Sequence, residues 1–515
     1  MSCGRVREYR TGMKRRTFLT VAGGAGAAVM VGPWMGRSRA ATFGAFPTGT
    51  GAVQLPVAER AKKVLEVFLY GGLSPWETLY FVRDYGRPDD AEAQYRNTMY
   101  YALPNGTAAA LTQCGNVDMD RTFGADANAA NVEIGPFAHR LHARTDVTAR
   151  MRLVVQRHNL EPHEAAVPMA LTGRPVGQPN AAGLGAHIQR ARLDGGATPG
   201  RASPHSYVFA TGGVSSDNVS AAAAAGSHIG AARPLMIKTD NAAKFTNLLA
   251  RSSVGANRGQ HDALVGAYLE QYQARLTWPG EGRVRSARTD DFAVAFETSK
   301  RSDAIRNVLA DDLFIARNGT SCGTTRRSLP LMGLTAARRL LTHPTEPASY
   351  VCVSDTGLYE ASGGGGYDTH SDNAVDTAVN FDNMLQSLLG IINAPGENDP
   401  TKISLDDTLI ILNTEFGRTP GRQGTDGRNH HPYGYVTAFI GGPITSAHKG
   451  VSGAIGKNGY ATSYATPSEN RIAAMLAMGM WPFAAEGFNV ADVPGATNEL
   501  DAARRSVSKF LGRSA

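Results

Sequence analysis

The sequence predicts an α/β protein with a mostly parallel sheet flanked by helices. Three observations predict this fold: short apolar runs with the length of buried strands, helical periodicity between them, and glycines where runs end. Strands that alternate with helices form a parallel sheet covered on both faces. Of the 515 residues, 42% are hydrophobic and 19% charged, which is typical of a globular protein and excludes a disordered chain.

Five apolar runs are predicted as strands. They lie at 63–70, 152–156, 349–355, 407–412 and 435–441. The first run ends at Gly71–Gly72. A strand that stops at a glycine turn is typical of the carboxyl edge of an α/β sheet, where ligands bind.

Apolar residues at helical spacing predict helices between these runs. The predicted helices lie at 136–144, 163–173, 374–393 and 468–480. The last is opened by Ser468 with Arg471 three residues on, which gives only a partial cap. The pattern loosens between about 175 and 345, where we expect an elaborated helical insertion with helical periodicity around 260–275 and 289–316.

Residues 1–40 carry the net charge of the chain. They hold eight Lys or Arg and one acidic residue, so the whole +7 lies there and the rest of the chain is balanced. This excludes a basic nucleic-acid-binding protein, whose Lys and Arg cluster on a folded face. The three cysteines after residue 40 have no CxxC spacing, and we expect buried thiols, with one disulfide as the alternative.

The same N-terminal segment has the pattern of an export signal. Arg15–Arg16 precede a Gly/Ala-rich apolar stretch, and Ser38 and Ala40 supply small residues before a cleavage site. This resembles a twin-arginine (Tat) signal and predicts a periplasmic or secreted protein whose partner during export is the Tat translocase. An uncleaved anchor is the alternative. We expect no stable membrane span in the mature chain, because no later segment reaches about 20 apolar residues.

The predicted domain organisation is therefore simple. Residues 1–40 form the signal peptide, and 41–60 form an extended lead-in with two prolines. Residues 61–515 form one domain, with the insertion at about 175–345.

Three polar clusters follow predicted strands or the loops linked to them. They contain Asp368, His370 and Asp372; Glu415 and Arg418; and Arg428, His430 and His431. We expect them to meet at one edge of the sheet. Mixed carboxylate and imidazole ligands suit Zn or Mn, whereas oxygen ligands alone suit Ca or Mg. The clusters thus predict a divalent metal (Zn, Mn, Ca or Mg) whose identity is open.

Each cluster also has a structural interpretation. Asp368 and Asp372 are residue types that cap turns and helices. Glu415 could pair with Arg418, and the two histidines could be ordinary loop residues. Upstream, His163 opens a predicted helix beside a strand end, which suits either an anion or nucleophile site or a plain capped helix.

Two segments resemble enzymes of the sulfatase and alkaline-phosphatase superfamily. DDTLIILNTEFG (406–417) places Glu415 where those enzymes have a metal-binding Asp, and HEAAVPMALTGR (163–174) resembles the run from their nucleophile to Leu-Thr-Gly-Arg. A closer resemblance is to domain of unknown function 1501, an uncharacterised bacterial family. It is carried by GGLS (71–74), DTH (368–370), EFGRTP (415–420) and GRNH (427–430), and it covers about 60–175 and 345–485.

The resemblance implies an alkaline-phosphatase-like fold and a metal-dependent hydrolase of phosphate or sulfate esters. The implied metal ligands are Asp368, His370, Glu415 and His430. Arg418 or Arg428 would neutralise a small anionic ester substrate, and His163 would be the general base on water or, alternatively, a transient phosphoryl acceptor.

The chain also departs from the superfamily pattern. His163 stands at the nucleophile position, and Phe416 stands where a His or Asn ligand is expected. The first strand ends in glycine where phosphatases present an Asp ligand, and Glu77 is the nearest carboxylate. Asn429 replaces an Asp that is common in the closer family, domain of unknown function 1501. These departures favour the alternative function, a non-catalytic scaffold acting in carbohydrate binding or cell-surface assembly.

Overall fold

The computed structural model describes residues 42–99, 121–178, 181–195, 206–210, 213–226, 234–238, 257–275, 318–358, 365–484 and 487–514, with short pieces between 277 and 309. The predicted signal at 1–40 and nearly all of the predicted helix at 289–316 lie outside the described residues. Within the described part of the chain, no helix is long and apolar enough to cross a membrane.

An eight-stranded sheet forms the centre of the fold. Its strands are β1 (Lys63–Leu69), β2 (Met151–Gln156), β3 (Ser206–Ala210), β4 (Leu235–Lys238), β5 (Tyr350–Asp355), β6 (Thr408–Asn413), β7 (Tyr435–Gly441) and β8 (Gly450–Ser452). Their order is β8-β2-β7-β6-β1-β5-β3-β4. Only β7 runs against the others in this sheet, since it pairs antiparallel with β6 and β2. The predicted mostly parallel α/β fold is confirmed.

The register aligns the carboxyl ends of the central strands. In β1, Phe68 lies opposite Ser354 of β5 and Asn413 of β6, so these three strands end within about one residue of each other. The loops after β1, β5 and β6 therefore leave the sheet side by side, at the edge where α/β proteins bind ligands.

Helices cover both faces of the sheet. They are α1 (Thr145–Ala149), α2 (His163–Thr172), α3 (Leu184–Asp194), α4 (Gly213–Ala223), α5 (Arg258–Arg275), α6 (Leu329–Leu341), α7 (Asn373–Ile391), α8 (Pro467–Ala477) and α9 (Glu499–Leu511). Side chains of β1 alternate between the two cores: Leu65 and Val67 pack with α6 and α7, whereas Val64 and Phe68 pack with α2, α8 and α9. Both faces of the central strands are therefore buried, which explains why their sequences are mostly apolar.

The region 175–345 supplies part of the sheet as well as helices. Strands β3 and β4 lie within it and pair in parallel with each other, and β3 pairs with β5. Predicted helix 136–144 is a 3-10 helix at Pro136–Ala143, opened by its proline. Short two-stranded ladders lie in the loops, and one of them pairs Gly417–Arg418 with His430–His431 in antiparallel fashion.

Two sequence expectations are corrected by the structure. Helix α8 begins at Pro467, and Thr466 with Glu469 forms a complete capping box, so the partial cap predicted at Ser468 is wrong. Cys352 is a buried free thiol, as expected, but Cys322 is disulfide-bonded. Its partner is not among the described residues.

Candidate metal centre

A double-glycine turn after β1 opens the carboxyl edge of the sheet. Gly71 and Gly72 adopt φ of 111° and 94°, which side chains with a Cβ rarely allow. A Cβ on Gly71 would lie 2.1 Å from the backbone nitrogen of Asp368, and one on Gly72 would lie 2.7 Å from the Phe416 ring. The glycines therefore let the loops after β5 and β6 close over the end of β1.

His163 is the first residue of α2 and reaches into this edge. Its Nδ1 lies 2.9 Å from Glu415 Oε1, and its Nε2 lies 3.4 Å from Asp368 Oδ1. The ring stacks on Tyr70, with 5.1 Å between centroids. The side chain is 13% exposed, yet Nε2 forms no hydrogen bond of good geometry within the described part of the chain. A buried ring nitrogen without a hydrogen-bond partner needs a proton acceptor or a metal ion.

Asp368, in the loop after β5, is the centre of the site. Its Oδ1 lies 2.6 Å from Arg418 Nη2, 3.2 Å from His370 Nε2 and 3.6 Å from His430 Nε2. One carboxylate oxygen thus faces a guanidinium and three imidazole rings.

Two imidazoles from different loops lie together: His370 comes from the loop after β5, and His430 comes from the loop between β6 and β7. His370 Nε2 and His430 Nε2 are 3.0 Å apart, and His370 Nδ1 lies 2.7 Å from Gln423 Oε1. If His370 donates its Nδ1 proton to Gln423, its Nε2 presents a lone pair towards His430. The side chain of His370 is 41% exposed and that of His430 is 18% exposed, so the site opens to solvent on the His370 side.

Three residues have the spacing of metal ligands. One ligand atom each of His163, Asp368 and His430 lies within 4.8 Å of the other two. We call these three residues the cage. Two imidazoles and one carboxylate suit Zn or another first-row divalent ion and leave a position open, as catalytic sites do. The unsatisfied Nε2 of His163 fits such an ion.

Without an ion, a proton occupies this place. Burial alone lowers the pKa of His163, but the close contact with the Asp368 carboxylate, together with the hydrogen bond to Glu415 and its negative charge, outweighs burial and raises the pKa to about 9. Burial likewise opposes ionisation of Asp368, but His163, His430 and Arg418 hold its pKa well below the usual range. The metal-free site therefore pairs an imidazolium with a carboxylate.

Glu415, predicted as a ligand, lies behind His163 instead of in the cage. Its Oε1 accepts hydrogen bonds from Gly71 N (2.7 Å) and His163 Nδ1, and its Oε2 accepts one from Thr414 Oγ1 at 3.2 Å. A carboxylate on the far nitrogen of a metal-binding histidine fixes the ring and its tautomer. The geometry therefore gives Glu415 the position of a supporting residue for His163.

The two arginines predicted to face substrate are buried in the scaffold. Arg418 bonds to the carbonyl oxygens of Gly71 and Arg428 and to Asp368. Arg428 forms a 2.5 Å ion pair with Glu77 and donates to the carbonyl oxygen of Pro420. Arg418 thus joins the β1 turn to Asp368, and Glu77 is occupied away from the cage.

Phe416 forms an apolar wall beside the cage. It is fully buried, and its ring centroid lies 4.5 Å from that of His430 and 5.0 Å from that of His163. Asp372 takes the N-cap position of α7 at φ 52° but makes no capping hydrogen bond with its side chain. The structural interpretation of Asp372 as a helix-cap residue is therefore confirmed for its position, although its side chain does not supply the cap.

Sequence reasoning assigned His163 a base role and did not include it among the ligands. The sequence feature that indicates its position is Pro162–His163. This pair starts a helix that follows the carboxyl end of β2, on the same edge as Asp368. Gln423, which orients His370, lies in a glycine-rich loop with no motif to mark it.

Comparison with known families gives one result. A family model described as "Protein of unknown function (DUF1501)" matches residues 61–477, which include the cage, Glu415 and Arg418. A search of curated proteins finds no match to the chain.

Proposed function

The chain belongs to the DUF1501 family, and from that premise we propose that it is a metal-dependent hydrolase of phosphate or sulfate esters. One observation carries the proposal: His163, Asp368 and His430, from three segments far apart in the sequence, bring ligand atoms within 4.8 Å of one another at the carboxyl edge of the sheet. Bringing charged and polar side chains together in a partly buried place costs free energy, because each loses part of its contact with water, and a bound ion would offset that cost.

The ligands in this proposal are His163, Asp368 and His430, with His370 beside them on the open side. Glu415 orients His163, and Gln423 orients His370. A divalent ion held by the cage would act as a Lewis acid on an ester oxygen and activate a water molecule.

The chain's own groups would supply proton transfer and selectivity. His370 is the exposed imidazole, and its position beside the cage suits exchange of a proton with substrate or solvent. His163 takes the ligand role here and leaves the base role predicted from the sequence to His370. The amino end of α2, which begins at His163, adds partial positive charge for an anionic ester.

An alkaline-phosphatase-like fold is part of the proposal. The support is the order of parts around the edge: helix α2 lies in the place of the nucleophile helix, and Glu415 follows β6. Phe416 is the main departure, since it removes one ligand of a second metal; the proposal therefore assigns one ion to the cage.

The test is metal analysis of protein purified from its native host, joined to a panel of aryl phosphates and aryl sulfates. About one equivalent of a divalent ion, and activity that a chelator removes and the ion restores, would support the proposal. His163→Ala and Asp368→Asn should lose the ion. The matched control is His261→Ala, which removes an exposed histidine of α5.

The opposite result is equally clear. Protein that contains no ion and gains no activity from Zn, Mn, Ca or Mg would refute the hydrolase and favour the non-catalytic scaffold. Unchanged metal content in His163→Ala would refute the cage while leaving a metal site elsewhere.

Export is the second part of the proposal. A Tat signal at residues 1–40 would send the folded chain to the periplasm or beyond, and the disulfide at Cys322 suits an oxidising compartment. Changing Arg15 and Arg16 to Lys should keep the protein in the cytoplasmic fraction. Unchanged export of that variant would exclude the twin-arginine route.

A further inference from the structure

A group of three tyrosines and one arginine lies beside the loops that build the cage. It consists of the exposed Tyr460 and Tyr464 and the half-buried Tyr433 and Arg157, and we call it the platform. The side chain of Tyr460 is 46% exposed and that of Tyr464 is 39% exposed. Large exposed tyrosines are normal singly, but a cluster of them with a shared orientation marks a binding surface.

The platform is built on a buried histidine. Tyr433 and Tyr460 stack with 5.4 Å between centroids and 26° between planes. The ring of His431 meets both of them edge-on, at 5.7 Å and 5.4 Å. His431 Nε2 lies 2.8 Å from the carbonyl oxygen of Gly459, which can only accept, so Nε2–H donates this hydrogen bond and holds the ring against the two tyrosines.

A cation completes the platform. The guanidinium carbon of Arg157 lies 5.9 Å from the centroid of Tyr433 and 5.3 Å from that of Tyr464. Among the described residues, no carboxylate forms an ion pair with Arg157. A guanidinium held between rings keeps its fork of donors available for an anion.

The platform and the cage share one edge of the sheet. Arg157 follows β2, and Tyr433 precedes β7, which enters the sheet at this edge because it runs antiparallel. The Tyr433 hydroxyl donates a 3.0 Å hydrogen bond to Glu161, two residues before His163. A long ligand on the platform would therefore run towards the cage.

We infer that the platform binds an anionic polysaccharide, whose sugar faces stack on the tyrosines while a sulfate or phosphate group pairs with Arg157. This inference rests on the proposed function in one respect, that the polymer carries the ester the cage hydrolyses. Stacked tyrosines suit the apolar faces of sugar rings, and the unpaired cation selects a charged chain over a neutral one. A single-stranded nucleic acid would also stack, but the balanced net charge of residues 41–515 gives no excess of Lys and Arg of the kind that such binding uses.

The experiment measures binding of dextran sulfate by calorimetry in the presence of a chelator, with uncharged dextran as the matched polymer. We expect dextran sulfate to bind and dextran to bind at least tenfold more weakly. Arg157→Gln and Tyr460→Ala should each weaken dextran sulfate binding about tenfold, which is about 1.4 kcal/mol. Tyr272→Ala removes an exposed tyrosine of α5 and should leave binding unchanged.

Several results would overturn the inference. These are equal binding by the wild-type protein and both platform variants, equal binding of dextran and dextran sulfate, or tighter binding of oligo-dT than of dextran sulfate. Folding is checked by melting temperature, and Tyr460→Ala, at an exposed position, keeps the test valid if Arg157→Gln unfolds. The binding of dextran sulfate is measured without metal, so it is independent of hydrolysis. No binding by a protein that hydrolyses aryl esters would reject the platform alone. Binding by a protein that hydrolyses no ester would reject the proposed function alone.

Discussion

Binding of a metal ion by the cage should displace a proton from His163. The pKa of this imidazole is about 9 in the metal-free protein, because Asp368 and Glu415 favour its charged form. At pH 7, two units lower, only about one molecule in a hundred has Nε2 free for an ion. Displacing the proton costs about 2.7 kcal/mol at pH 7, so the apparent affinity should rise about tenfold per pH unit between pH 7 and 9.

Zn²⁺ affinity can be measured at pH 7, 8 and 9 by competition with a chromophoric chelator. Calorimetry at pH 7 in two buffers of different ionisation enthalpy counts the protons released, and we expect about one from His163. Glu415→Gln removes one of the charges that raise the pKa, so the dependence on pH should become shallower. A flat affinity between pH 7 and 9, with no proton released, would show that His163 is not a ligand.

Three further predictions concern Glu415, Gly71 and Asp355, which are all buried. At pH 9, the end of this range where the proton on His163 competes least with the ion, Glu415→Gln should weaken metal binding about 10–100-fold. Glu77→Gln, at an equally buried carboxylate paired with Arg428, should lower the melting temperature and leave the affinity of the folded protein unchanged; equal affinity in both variants would contradict the supporting role of Glu415. Gly71→Ala should cost about 1–3 kcal/mol of unfolding free energy and weaken metal binding, because its Cβ would meet Asp368; a wild-type urea midpoint would count against this. Burial raises the pKa of Asp355 to about 6. The stability that its proton gives to the folded state is fully present below about pH 4 and falls by about 1.4 kcal/mol per pH unit as the pH rises to 6. Urea unfolding at pH 4.5 and 5.5 should show this fall in the wild-type protein but not in Asp355→Asn, and the same fall in the variant would exclude Asp355 as its source.

The metal-free protein should also respond to pH through His163. A pKa raised from 6.5 to about 9 stabilises the folded state below pH 6.5, and this contribution, at most about 3 kcal/mol, is lost as the pH rises through 9. Thermal melts with a chelator should therefore show falling stability between pH 7 and 9. His163→Gln should remove this fall, and its persistence in the variant would assign it to other groups.

The central strands could be predicted from the sequence because they are buried on both faces and read as continuous apolar runs. Strand β1 and its glycine end are examples, and the expected meeting of the loops after β5 and β6 follows from the parallel order. Strands β3 and β4 were missed because each has only four or five residues and lies between segments without periodicity. Short apolar runs do not separate strand from helix.

The ligand set was harder to predict than its place. The sequence brings Glu415, Asp368 and His430 to one edge, but it does not say which way a side chain points once the chain leaves β6. Glu415 turns back to accept a hydrogen bond from Gly71, and this contact depends on a turn 344 residues away. In the proposed site, His163 stands where Glu415 was predicted to bind, and Glu415 accepts a hydrogen bond from Nδ1 of His163.

The three cage residues belong to loops that only the assembled sheet brings together, so an ion in the cage would bind the native chain and not the unfolded one. At a hundredfold excess over its dissociation constant, such an ion adds about 2.7 kcal/mol to the free energy of unfolding by mass action. If the chain is exported in the folded state, as proposed, the cytoplasmic supply of that ion would set how many molecules survive proteolysis before export. The cage would in this way link the supply of metal to the yield of folded protein.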